Sequence, residues 1–116
     1  MDKLVVDRID QLLSHIEMIE NDLKDVTLEE MKESSLLTRA TAFSLAQIGE
    51  QMITLEKYFG KDYPKLPWKN ARNMRNIIVH VYNEVNTKVV YSTAKNDLKE
   101  LKDTFIKIKS SITTEA

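Results

Sequence analysis

The chain has 116 residues, no cysteine, 17 basic and 18 acidic side chains, and a formal net charge of −1. This length suits one domain over residues 1–116 that buries a real core. The lack of cysteine excludes disulfides and thiolate metal sites, and the near-neutral charge argues against a general nucleic-acid binder. With no signal peptide and no apolar run long enough to span a bilayer, we expect a cytoplasmic protein without membrane association.

The first predicted helix covers about residues 2–23. Apolar residues recur there at alternating spacings of four and three, a narrow stripe typical of a helix that packs on another helix. The stripe consists of Val5, Ile9, Leu12, Ile16, Ile19 and Leu23.

A second helix is predicted to begin at Thr27, because Glu30 three residues later completes a capping-box pattern. The helical signal then continues to about Phe59, which is long for a helix of a globular protein. A bend near Ser34 and Ser35 is compatible with the pattern but is not required by it.

Two further helices follow. Gly60 supplies a stop for the second helix, and Pro67 suits the first position of the third, which is expected to fray near residues 82–83. Asn86 or Thr87 can cap the fourth helix. The apolar faces consist of Trp68, Ala71, Met74, Ile78 and Val81 in the third helix and Val90, Ala94, Leu98, Leu101, Phe105, Ile108 and Ile112 in the fourth. The predicted fold class is therefore all-α, an antiparallel four-helix bundle.

Charge is distributed unevenly along the chain. Residues 1–56 carry five basic and twelve acidic groups, a net of −7, whereas residues 57–76 carry six basic groups and one acidic group, a net of +5. Lys69 and Arg72 in this basic segment are candidates for binding RNA. The segment also contains the aromatic residues Tyr58, Phe59, Tyr63 and Trp68. It can hold RNA phosphates and stack bases, or it can be a solvated loop whose aromatic rings face the core.

The third helix concentrates polar residues in an apolar stretch, where Arg75, Asn76, His80 and Tyr82 fall within eight positions. Arginine binds phosphate with a planar fork, and histidine transfers protons near neutral pH. A phosphodiester site would use His80 as general acid or base on an RNA 2′-hydroxyl or leaving oxygen, and Arg75 to hold the phosphate. Asn76 would position the histidine or donate to a phosphate oxygen. The carboxylates form no ligand pattern, so no metal is implied.

Structural roles are the alternative for the same residues. A histidine at a helix end often caps a carbonyl, and Arg75 can pair with Glu50 simply to hold two helices together. Glu50 can also orient Arg75 or Asn76, or it can face water. Its neighbour Gly49 costs about 1 kcal/mol relative to alanine inside a helix, which suggests that another helix approaches closely there.

Arg75 and His80 are separated by about 140° around a regular helix, so a straight helix does not aim both at one phosphate. Three arrangements resolve this. The helix bends or ends near His80, the long side chains wrap inward, or a second subunit contributes residues across a two-fold axis.

Five landmarks occur in register over about residues 40–108. They are Ile48-Gly49-Glu50, Tyr63-Pro64, Leu66-Pro67-Trp68, Met74-Arg75-Asn76, and the signature Arg-x4-His-x-Tyr formed by Arg75, His80 and Tyr82. In these landmarks the chain resembles the HepT-like members of the HEPN superfamily, which are the toxin halves of HepT–MntA toxin–antitoxin pairs.

The resemblance implies an HEPN-like homodimer with a composite cleft at the dimer axis, and metal-independent endoribonuclease activity with Arg75 and His80 as the catalytic pair. It implies no cofactor. It further implies a partner, an MntA-type nucleotidyltransferase antitoxin that transfers AMP to Tyr82. Two alternatives stay open: a non-catalytic substrate-binding or regulatory subunit that partners a nucleotidyltransferase, and a plain helical dimerisation module in which the motif is structural.

Overall fold

The computed structural model of the chain describes residues 3–82 and 87–113, and the side chains of residues 78–82 lie outside that description. All regular structure in the described residues is helical, which confirms the all-α fold class. The elements are α1 (Lys3–Asp22), α2 (Leu28–Lys32), α3 (Ser35–Phe59), a 3₁₀-helix (Trp68–Asn70), α4 (Ala71–Tyr82), α5 (Thr87–Asn96) and α6 (Leu98–Thr113). The four predicted helices therefore appear as six.

The second predicted helix is interrupted at Ser34. The capping box is present as predicted, because Thr27 Oγ1 accepts from the Glu30 amide at 3.1 Å and Glu30 Oε1 accepts from the Thr27 amide at 3.0 Å. Ser34, however, has an extended backbone (φ −121°, ψ 94°), and its hydroxyl accepts from the Leu37 amide to start α3. A serine side chain that caps a new helix competes with continuation of the old one, so the optional bend is a real break.

The fourth predicted helix is likewise divided, with α5 ending at Asn96 and α6 beginning at Leu98. Asp97 stands between them. Of the two predicted caps, Asn86 lies outside the described residues, and Thr87 is the first residue of α5. Gly60 ends α3 as predicted, but with a right-handed backbone (φ −60°).

The core lies where α1, α3 and α6 meet, and α3 is the central helix because it packs on both α1 and α4. Every residue of the predicted apolar stripe of α1 is buried. The residues that are large and fully enclosed include Ile9, Leu12, Ile16, Leu45, Ile48, Met52, Leu55, Leu101 and Phe105. Within the described ranges, none of the helices combines the length and apolar character needed to cross a membrane.

Helix α5 is hydrogen-bonded to the turn between α1 and α2. The Tyr91 hydroxyl donates to the Val26 carbonyl at 2.7 Å, and Lys95 Nζ donates to the Leu23 carbonyl at 2.7 Å. Both carbonyls belong to the turn after α1, where the Leu23 carbonyl also accepts from the Val26 amide at 3.0 Å, and the ammonium of Lys95 complements the negative end of the helix dipole.

Candidate functional site

The entry to α4 is fixed by the core. Pro67 is the N-cap of the 3₁₀-helix that precedes α4, so the prediction that it opens the helix proper is wrong by one short turn. The indole nitrogen of Trp68 donates to the Tyr63 carbonyl at 2.9 Å, and its ring meets Phe105 edge-on at 6.1 Å between centroids. The polar residues that follow are therefore carried by a helix whose first turn is anchored to α6.

The buried face of α4 consists of residues three apart: Ala71, Met74 and Ile77, which continue from Trp68. Trp68, Ala71 and Met74 were predicted to be buried, and Ile77 was not. The predicted contributions of Ile78 and Val81 lie outside the described side chains. A row of buried residues spaced three apart turns gradually around a helix of 3.6 residues per turn. Ile77 is the next residue of this row after Met74, and it is therefore buried.

Gly49 allows α3 and α4 to touch backbone to backbone. A Cβ placed on Gly49 would lie 2.5 Å from the Ala71 carbonyl oxygen, 2.5 Å from the Arg75 nitrogen and 2.9 Å from Met74 Cβ. No side chain fits such a gap, so the glycine between Ile48 and Glu50 of α3 is there for close packing. This packing sets the position of the backbone that carries Arg75.

The outer side of α4 is cationic. Lys69, Arg72, Arg75 and Asn76 are all exposed, and no described residue forms a hydrogen bond or ion pair with their side chains. Glu50 is exposed on the adjacent α3 and forms no ion pair with Arg75, so the structural pairing considered for these two residues is not formed. The exposed guanidinium groups are free to bind an anion.

The backbone of His80 and Tyr82 belongs to α4, which runs on as an α-helix through Tyr82. The described helix ends at Tyr82, two residues after His80, so all three arrangements that would bring His80 to Arg75 stay open. Residues 75 and 82 are seven apart, so Arg75 and Tyr82 fall on nearly the same side of α4.

The aromatic residues of the basic segment divide into two groups. Phe59 and Trp68 are buried in the core, which excludes them from stacking on bases and matches the second interpretation of the segment. Tyr58 keeps 49% of its surface exposed, and Tyr63 is partly buried against Phe59. Phosphate binding by cations is therefore better supported here than aromatic stacking.

A groove between α4 and α5, which the sequence analysis did not identify, flanks the site. It has a volume of about 310 Å³ and is lined by Asn70, Asn73, Met74, Ile77, Val89, Thr93 and Asp97. The side chains of Asn70, Asn73 and Asp97 have no hydrogen-bond partner among the described residues. Asn70 and Asn73 are three residues apart, as are Asn73 and Asn76, and that repeat is the sequence signal that was available.

A second polar group joins α1 to α3. The buried Gln51 accepts from Arg8 Nη1 at 3.1 Å and donates to Gln11 Oε1 at 3.0 Å. His15 is partly buried, with Nδ1 3.4 Å from Ser44 Oγ. Burial lowers the pKa of the His15 imidazole. Within residues 3–82 and 87–113, no group of three or more histidine or acidic side chains is placed to hold a metal ion.

Comparison with known proteins gives the chain a family. A family model described as Ribonuclease HepT-like matches residues 12–108. A Thermococcus cleftensis protein named "Probable ribonuclease HepT" is 27% identical over 89% of this chain and 94% of its own. A protein named "Putative RNase" from Caldanaerobacter subterraneus subsp. tengcongensis is 31% identical over 80% of this chain and 83% of its own. Another "Putative RNase", from Methanocaldococcus jannaschii, is 33% identical over 84% of this chain and 84% of its own. No solved structure matches significantly. The family model and these relatives together show that the chain belongs to the HepT-like ribonuclease family.

Proposed function

We propose that this protein is a metal-independent endoribonuclease toxin that acts as a homodimer and is silenced by AMP transferred to Tyr82 by an MntA-type nucleotidyltransferase antitoxin. The observation that carries the proposal is the exposed guanidinium of Arg75, unpaired among the described residues, on a helix fixed by Gly49. Membership of a family of ribonucleases supports RNA as the polyanion that this guanidinium binds.

The proposed reaction is an internal transesterification. The 2′-hydroxyl loses its proton to a base, its oxygen bonds to phosphorus, and the bond from phosphorus to the 5′-oxygen breaks as that oxygen gains a proton. The products are a 2′,3′-cyclic phosphate and a 5′-hydroxyl. One His80 takes the 2′-proton as base and returns it to the 5′-oxygen as acid, and Arg75 stabilises the charge that develops on the phosphoryl oxygens.

Two features favour a dimer. Arg75 and His80 lie about 140° apart on a helix that stays regular, so a two-fold axis is the simplest way to bring them to one phosphate. In addition, Leu36 and Phe43 on α3 keep 73% and 49% of their surface exposed. Glu50 follows Phe43 by seven residues and lies on the same side of α3. A second copy that covers Leu36 and Phe43 therefore also reaches the proposed site.

Cleavage by the purified, AMP-free protein in EDTA is the direct test. Cleavage should persist in EDTA and disappear in His80→Ala and Arg75→Ala. Lys107→Ala is the control, because Lys107 is an exposed cation of α6 and belongs to neither α3 nor α4. Equal activity of all variants, or loss of activity in EDTA alone, would contradict the proposal. No cleavage of any cellular RNA would favour the non-catalytic partner subunit.

Mixing inactive protomers tests the composite cleft separately. When Arg75→Ala and His80→Ala proteins are mixed and allowed to exchange, half of the dimers contain one copy of each. If Arg75 of one copy works with His80 of the other, the mixture should recover about a quarter of the wild-type activity. If both residues act within one copy, the mixture should stay inactive.

Control by the antitoxin follows from the position of Tyr82. An adenylyl group on its hydroxyl adds a bulky anion on the side of α4 that carries Arg75, where it would occupy the guanidinium and repel RNA. Mass spectrometry of protein made together with the antitoxin should find one AMP adduct, at Tyr82. An adduct at another residue would contradict this assignment.

A further inference from the structure

The groove between α4 and α5 has the composition of a site for a flat, polar-edged ligand. Met74 and Ile77, 4% and 7% exposed, form an apolar floor, and the exposed side chains of Asn70, Asn73 and Asp97, which have no partner among the described residues, stand at its edge. Its volume of about 310 Å³ falls at the lower end of the range of about 300–1,000 Å³ for small-molecule pockets.

The charge of the groove distinguishes its ligand from a phosphate. Asp97 is the ionised group in the lining, and a carboxylate repels a phosphate while it accepts hydrogen bonds from N–H groups. The cationic residues Arg72 and Arg75 lie instead on the outer side of α4. One helix thus presents phosphate-binding groups on one side and base-binding groups on another, as a nucleotide requires.

The lining also favours one base. Guanine places two adjacent donors, N1–H and the N2 amino group, on its Watson–Crick edge, where they match the two oxygens of a carboxylate. Its O6 and N7 accept hydrogen bonds, which the amides of Asn70 and Asn73 can donate. Uracil offers one donor between two carbonyls, and these carbonyls would face the Asp97 carboxylate.

We propose that the groove between α4 and α5 binds a guanine base of the RNA next to the cleaved phosphate, with Asp97 as the residue that selects guanine. The inference rests on the proposed nuclease function for its cleavage consequence. His80 is seven residues after Asn73 and so lies two turns further along nearly the same side of α4, which places the base near the reacting phosphate.

A second cavity extends the groove. It has a volume of about 220 Å³ and shares Asn70, Met74 and Asp97 with the first, and Lys65 stands in its lining. Glu100 also lines this cavity, so its two carboxylates outweigh Lys65 and it adds no phosphate site to the groove.

Asp97 has a competing structural role, since it is the residue before α6 and an acidic group there suits the helix dipole. No described residue, however, donates a hydrogen bond to its side chain. Asp97→Asn keeps both the size and the helix-capping ability of the side chain while removing one of the two acceptor oxygens. Asp103→Asn, an exposed carboxylate of α6 outside both cavities, is the matched control.

Binding is measured first, because it does not depend on catalysis. GMP, AMP, CMP and UMP are titrated onto the full chain while the side-chain amide NMR signals of Asn70 and Asn73 are followed. GMP should shift these signals and bind about tenfold tighter than UMP, the effect of one bidentate base contact. Asp97→Asn should remove the difference, and Asp103→Asn should retain it. Equal binding of the four nucleotides, or shifts confined to other residues, would overturn the proposal.

Sequencing of the cleavage products separates this proposal from the nuclease function. Wild-type protein should cut beside guanine, and in Asp97→Asn this preference should disappear because cutting at guanine sites slows. If no RNA is cut but GMP binding behaves as expected, the nuclease function fails and the guanine site stands. If cutting is base-independent in both proteins while GMP still binds, the groove is a site for free nucleotide and the proposal fails. If wild type and Asp97→Asn cut RNA identically and neither binds GMP, the guanine site is overturned and the nuclease function stands.

Discussion

Gly49 of α3 lies directly against the backbone nitrogen of Arg75 in α4, and a Cβ at position 49 would be 2.5 Å from it. The residue proposed to hold the scissile phosphate is thereby positioned by a residue that has no side chain. The same contact reaches the carbonyl oxygen of Ala71, one turn earlier. Any atom added at Gly49 must move α4 as a unit, so stability and activity are coupled at this position.

Gly49→Ala should therefore destabilise the fold by about 1–3 kcal/mol, as overpacking does. The sign of this change in stability is informative, because a glycine-to-alanine change in an ordinary helix interior stabilises the fold by about 1 kcal/mol. Ala40→Gly, at an exposed position of the same helix, measures that ordinary propensity. Urea unfolding of both variants provides the comparison. Stabilisation by Gly49→Ala would show that α3 and α4 are not in backbone contact.

Arg75→Ala should lower RNA cleavage about 100-fold, the usual effect of removing one donor to a developing oxyanion. It should change the free energy of unfolding by less than about 0.5 kcal/mol, because the side chain is exposed and has no partner among the described residues. Activity and urea unfolding are measured on the same sample. A large loss of stability with the variant would instead favour a purely structural motif in a dimerisation module.

Lys69→Gln and Arg72→Gln should weaken RNA binding to a similar degree for all sequences, because both residues are exposed cations that meet phosphates. Each should reduce the slope of log affinity against log salt by about 0.7, the value for one phosphate contact with a single strand. Fluorescence anisotropy with a labelled RNA over a salt series measures the slope. Lys107→Gln on α6 serves as control, and an equal effect there would show that the contacts are not localised.

If Tyr82 is the proposed AMP acceptor, Tyr82→Phe should leave cleavage intact while the proposed antitoxin loses control of the protein, because the acceptor hydroxyl is gone. Growth of cells that express the variant with its nucleotidyltransferase, together with the intact mass of the purified protein, provides the readout. Tyr58→Phe, at an exposed tyrosine of α3, is the control. Survival of the Tyr82→Phe cells, with the protein still active in vitro, would place the modification elsewhere.

Stability should fall in mildly acidic solution because of His15. Burial lowers the pKa of the folded imidazole below its ordinary value of 6.5, so over the interval below that value the unfolded chain binds a proton that the folded chain does not. The free energy of unfolding is therefore unaffected by this titration above about pH 6.5, and it decreases as the pH falls from there toward the pKa of the folded imidazole. The urea midpoint of the wild type should fall relative to that of His15→Gln as the pH drops through that interval. Parallel pH profiles would exclude His15 as the cause.

Periodicity predicted the helices well and their breaks poorly. The stripe from Val5 to Leu23 is buried in full, and the Thr27–Glu30 capping box is formed as predicted. The interruptions at Ser34 and Asp97 were not required by the sequence, because a polar residue can continue a helix or start a new one. Tertiary packing decides which occurs, and here the Thr38 hydroxyl donates to the Met31 carbonyl across the break.

In the candidate site, too, the sequence predicted some features and not others. Gly49 was interpreted as a point of close approach, and the structure supplies its partners, Ala71 and Arg75. Spacing alone left open whether Glu50 pairs with Arg75, and among the described residues it does not. The groove at Asn73 and Asp97 could not be predicted, because it joins residues of α4 to the junction of α5 and α6, which only the folded chain brings together.

The bonds that fasten α5 have a consequence for synthesis. Tyr91 and Lys95 satisfy carbonyls 65 and 72 residues earlier in the chain, at Val26 and Leu23. Helices α3 and α4 are complete in sequence by residue 82, whereas the turn after α1 lacks these two donors until residue 95 has left the ribosome, and the contact of Trp68 with Phe105 forms later still. A nascent chain can thus form the helix pair that carries Arg75 well before the fold around it is closed.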